Sequence, residues 1–149
     1  MFVSEVNNNL FLMPEYVNSV KEELKKGKTA KFVIGRIDYN AIQKDETFKR
    51  EYETLIKSYP KFFVMFNPEL PKDSQKIIVP GQNPCIMSHN RETASGEAGH
   101  VSLRKAAQEI EKADNYFKNG VVLSDFNAPL NDLVKKFNEN KSGKSQICV

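Results

Sequence analysis

Two short apolar runs, KFVIGRI at residues 31–37 and FFVMF at 62–66, bracket a segment in which Phe48, Tyr52, Leu55, Ile56 and Tyr59 recur at helical spacing. Asp45 stands where a helix N-cap belongs, and Pro60 ends the periodicity. Two strands joined by a helix of that length form a crossover between parallel neighbours, a βαβ unit. A chain that contains one is held to a layered α/β architecture, because helices must cover the sheet.

The flanking segments extend the pattern. Pro14 to Lys26 carries Val17, Val20 and Leu24 on one stripe, opens with a proline suited to a first turn and stops at Gly27. KIIV at 76–79 and CIMS at 85–88 read as paired strands across the turn PGQNP. Leu103, Ala106, Ala107, Ile110, Ala113 and Phe117 repeat at helical spacing, with Ser102 as cap and Asn119-Gly120 as close. VVLSDF at 121–126 reads as a last strand, after which Asn127 caps a helix bearing Leu130, Leu133, Val134 and Phe137.

The expectation is one α/β sandwich over residues 1–139, with a mixed sheet of about five strands and about four helices. KSGKSQ and the residues after it, 140–149, read as a flexible tail. Ile56, Val64, Ile78, Ile110, Val122 and Leu133 are expected to share the core.

Composition narrows the partners. The 149 residues are 40% hydrophobic and 28% charged, enough apolar material for one self-sufficient core. A net charge of +3, from 22 basic and 19 acidic side chains, lacks the concentrated surplus of a nucleic-acid binder. The N-terminal stretch MFVSEVNNNLFLMPEYV has neither a basic leader nor a continuous apolar run, so no membrane partner is expected. Two cysteines, Cys85 and Cys148, make no disulfide framework and suggest a reducing, cytoplasmic setting. No cofactor is expected: GKT at 27–29 precedes a strand and lacks the earlier glycine of a phosphate-binding loop.

Chemistry-bearing residues cluster in SHNRETASGEAGHVSL, residues 88–103, which holds both histidines and lies close to Cys85. The stretch reads as a loop leaving the Cys85 strand and entering the helix near Leu103. Such loops bind anions where free backbone N–H groups meet a helix N-terminus. Gly96 and Gly99 would let the backbone approach a ligand, while Arg91, Ser102 and Arg104 would contact it.

Nucleophilic catalysis needs a thiol beside an imidazole that accepts its proton, and Cys85 with His100 as base supplies both. Asp125 would orient that imidazole if its strand lay beside the Cys85 strand. His89 is a second candidate base, reaching Cys85 only if the strand ended in a turn, and His89 with His100 is the alternative catalytic pair. His89, Glu92, Glu97 and His100 also form a mirror-like set of metal-ligand types, but the spacing is loose and no metal is expected. The fragment His100-Val101-Ser102-Leu103 resembles one half of the two-histidine phosphoesterase signature. His89 is followed by Asn90 and Arg91 without the matching hydroxyl, so the second half is absent and no family is assigned.

Two function classes follow. The first is a noncatalytic interaction or regulatory domain that binds another protein or a small anionic ligand, in an oligomeric state the sequence leaves open. The second is a small hydrolase or transferase that uses the 85–104 region.

Overall fold

The computed structural model describes residues 12–72, 74–90, 92–93 and 95–147. Its elements run α1 (Pro14–Lys25), β1 (Ala30–Ile34), α2 (Arg36–Lys44), α3 (Glu46–Ser58), β2 (Phe62–Phe66), β3 (Ser74–Val79), β4 (Cys85–Asn90), β5 (Ser95–His100), α4 (Leu103–Lys118), β6 (Val121–Val122) and α5 (Leu130–Ile147). The chain is α/β. Among the described residues the six strands form two three-stranded sheets, β1-β2-β6 and β3-β4-β5, in place of the single mixed sheet expected, and there are five helices where about four were expected.

The βαβ unit is present, with β1 and β2 parallel from Ala30↔Phe62 to Ile34↔Phe66. Alternation puts Phe32, Ile34, Phe62, Val64 and Phe66 on one buried face, where they meet Val17 and Leu24 of α1, Tyr39 and Ile42 of α2, and Tyr52 and Leu55 of α3. Asp45 caps α3 by accepting from the Thr47 and Phe48 N–H groups, and Gly27 at φ +84° lets the chain leave α1. The crossover holds two helices, not one. Gly35 is the N-cap of α2, and β1 stops at Ile34 short of the expected run to Ile37, because turning there buries Tyr39 and Ile42 completely.

α4 covers the other face of the first sheet in part. The Phe117 ring meets Phe63 edge-on at 6.4 Å, and the Lys31 Nζ lies 5.4 Å from the Phe117 centroid. Buried Asn67, at the end of β2, donates to the Tyr116 carbonyl at 2.9 Å and thereby anchors the last turns of α4.

Three expectations about the core are corrected. Val64 and Leu133 belong to it and Ile56 packs against it, but Val122 is 69% exposed, since its register partner Met65 faces the incompletely covered side. Ile78 and Ile110 lie outside that cluster, half-buried where the second sheet meets α4. Asn127 does not cap the last helix, which starts at Leu130; its N–H instead bonds to Asp125 Oδ1 at 3.0 Å. α5 continues to Ile147, through residues read as tail, because each added helical residue gains a hydrogen bond once the helix is nucleated. Lys141 adds an ion pair with Glu69. Residues 148–149, with Cys148, lie outside the described residues.

Candidate functional site

The stretch expected as a histidine-bearing loop is the outer hairpin of the second sheet. β3 and β4 pair antiparallel from Ser74↔Asn90 to Val79↔Cys85, across a turn in which Gly81 adopts φ +141°. β4 and β5 pair from Cys85↔His100 to Asn90↔Ser95. Asn90 closes that second turn, its Oδ1 accepting from the Glu92 and Thr93 N–H groups at 2.9 and 3.3 Å.

Register decides what meets what. The Val101 N–H donates to the Pro84 carbonyl at 3.0 Å, which marks that pair as hydrogen-bonded. The neighbouring pair, Cys85 and His100, is therefore the non-hydrogen-bonded kind, in which side chains stand closest, with Cβ atoms about 4.5–5.5 Å apart. Both project from the same face as Val79 and Met87. Cys85 is half-buried, while His100, Val79 and Met87 are exposed. Among the described residues no hydrogen bond joins the thiol to the imidazole.

The remaining candidates lie elsewhere. β4 runs straight through His89, which therefore sits about 13 Å from Cys85 along the strand. His89 is opposed to Gln75 and Gly96, at the other end of the hairpin from His100, so the His89/His100 pair is not assembled. Its Nε2 is buried without a hydrogen-bond partner. Asp125 lies in the loop after β6, and β6 pairs with β2 of the other sheet, so Asp125 is not beside the Cys85 strand.

The anion cradle is also rearranged. Gly96 and Gly99 are strand residues, and Ser102 Oγ accepts from the Lys105 N–H at 3.1 Å, serving α4 as its cap. Arg104 is exposed in the first turn of α4, and Arg91 lies outside the described residues. Glu97 projects from the face opposite to His100, and among the described residues no three His, Cys, Asp or Glu side chains gather around one point.

What the sequence did not reveal is the edge of the sheet. All six residues of β5 are exposed, and among the described residues no strand pairs with its outer side. Alternation aims the N–H groups of Gly96, Ala98 and His100 outward, away from β4. Only the turn residue Asn90 and the paired apolar runs before it hinted at a further strand. A second feature is a small cleft at the carboxyl ends of β1 and β2, lined by Gly35, Arg36, Pro68, Leu70 and Lys72, with room for at most about one water molecule.

No protein-family model, curated protein or solved structure matches this chain. Among the described residues no helix is long and apolar enough to cross a membrane.

Proposed function

We propose that this chain is a noncatalytic protein-interaction domain that receives an extended segment of a partner protein as a fourth strand on β5. The observation that carries this reading is the unpaired edge of β5: six exposed residues with three outward N–H groups, from Gly96, Ala98 and His100. Edge strands are ordinarily guarded by charged side chains, above all lysine, by proline or by a bulge, and SGEAGH has neither lysine nor proline and a single charged residue, Glu97. Val79 and Met87, 47% and 37% exposed, supply apolar contact on the adjoining face. A protein partner is preferred to a small anion because Ser102 already bonds within its own helix. A reducing, cytoplasmic location suits the free thiol at Cys85.

Extended peptides selected from a random display library test the reading. Ala98→Pro removes one outward N–H group and leaves the β4 ladder intact, so it should abolish binding while circular dichroism stays unchanged. Selected peptides that bind this variant as tightly as the native chain would refute strand addition.

A thiol hydrolase or transferase is the second reading, favoured by the direct opposition of Cys85 and His100. If the imidazole takes the thiol proton, alkylation of Cys85 by iodoacetamide at neutral pH slows in His100→Ala. An unchanged rate removes this reading.

A further inference from the structure

We propose that Cys85, Met87 and His100 form a three-donor site for copper(I) on the open face of β4 and β5. The site shares Met87 and His100 with the surface read above as receiving an added strand, but it rests on their side chains and not on the unpaired β5 backbone. Cys85 and His100 are directly opposed in a non-hydrogen-bonded pair, so their Cβ atoms lie about 4.5–5.5 Å apart. Bonds from a metal to thiolate sulfur and imidazole nitrogen measure about 2.0–2.3 Å, so one ion bridges the two side chains without moving the strands. Met87 follows two positions along β4 on the same face and is diagonal to His100. Diagonal neighbours stand about 7–8 Å apart, within reach of a long side chain, and the thioether rides on three rotatable bonds.

The donor set selects the ion. A structural zinc site needs four ligands, and the candidate fourth, His89, shares the face but sits about 13 Å away along β4. Hard cations need carboxylate or carbonyl oxygens, and Glu97 projects from the opposite face. Thiolate, thioether and imidazole together suit a soft cation satisfied by three ligands, which is copper(I). Met87 is 37% exposed and His100 is exposed, so the site opens to solvent and can exchange its ion with a carrier. On binding, the Cys85 thiol releases its proton to solvent and the copper keeps its +1 state, so no oxidant or reductant is consumed.

The test presents copper(I) as its bicinchoninate complex, under nitrogen, to the full chain carrying Cys148→Ser, which leaves Cys85 as the only thiol. One equivalent of copper should leave the chromophore, and X-ray absorption of the product should show two sulfur neighbours and one nitrogen. Cys85→Ser should abolish the transfer. Met87→Leu, which conserves volume, and His100→Asn should each weaken it by about tenfold or more with circular dichroism unchanged. The same chain should withdraw no zinc from a chromophoric chelator of matched strength. Failure of the Cys148→Ser chain to compete, undiminished affinity in Met87→Leu, or tight zinc binding would each overturn the proposal.

Discussion

Gln75 on β3 donates its side-chain amide to the Asp38 carboxylate on α2 at 3.0 Å, and both residues are buried. With the exposed Lys76–Glu109 ion pair, this bond joins the outer sheet to the helices around the inner one. Exposed pairs of that kind contribute at most about 1 kcal/mol, so the buried amide carries the larger share. Gln75→Ala should cost about 1–3 kcal/mol in urea unfolding, the usual range for a buried hydrogen bond whose partner stays behind. It should also speed amide exchange in β3 to β5 more than in β1 and β2. Uniform acceleration across both sheets would show that the outer sheet does not depend on this bond.

Two glycines respond in opposite directions. A Cβ at Gly120 would lie 3.0 Å from both Met65 Cβ and the Phe66 carbonyl, in the turn that brings β6 against β2. Backbone cannot yield there, so Gly120→Ala should destabilise by about 1–3 kcal/mol. A Cβ at Gly99 meets nothing within 4 Å, and alanine in a strand interior is favoured over glycine by about 0.5–1 kcal/mol. Gly99→Ala should therefore raise the urea midpoint, and a lowered one would mean that β5 needs glycine at this position.

The legible parts of the fold were those written in local pattern. Pro14 and Gly27 bound α1, Asp45 caps α3, and the runs at β1 and β2 pair in parallel as their spacing implies. α2 was hidden because Gly35 lies inside the apolar run 31–37, which reads as one strand, and only the burial of Tyr39 and Ile42 marks it as an N-cap. β5 was hidden for a different reason. SGEAGH has no β-branched or aromatic residue, so its strand state comes from the ladder to β4 and not from propensity. The same ladder brings His100 to Cys85, and the separation of the two sheets keeps Asp125 away. Residue type was readable for the candidate site; proximity was a property of register.

The buried tyrosines set an alkaline limit on stability. Tyr39 is fully buried and donates its hydroxyl to the Ala128 carbonyl. Burial first, then the charges of Asp125 and Glu53, push its pKa up to about 12. Burial likewise raises Tyr52 and Tyr16, with Asp38 contributing to both. A phenol whose pKa is higher folded than unfolded contributes stability in full below the unfolded value of about 10, and loses it as pH rises through the folded value. The chain should hold constant stability up to about pH 10 and lose it above that point. Phenolate absorbance from these three residues should appear together with loss of circular dichroism. Phenolate appearing before the fold is lost would show that their hydroxyls are open to solvent.

His89 offers the converse case of a buried polar atom that contributes nothing. Its ring stands opposite Gly96, where an added Cβ would lie in ordinary contact with Nδ1 at 3.7 Å and tight against the Ser88 carbonyl at 3.3 Å. Nε2 is buried and makes no hydrogen bond. Leaving a buried donor or acceptor unsatisfied costs about 1–3 kcal/mol, so an apolar side chain of similar size should be neutral or better. His89→Leu should keep the urea midpoint or raise it, and should leave alkylation of Cys85 unchanged, because His89 lies at the far end of the hairpin from His100. A loss of more than about 1 kcal/mol would mean that Nε2 is hydrogen-bonded in solution.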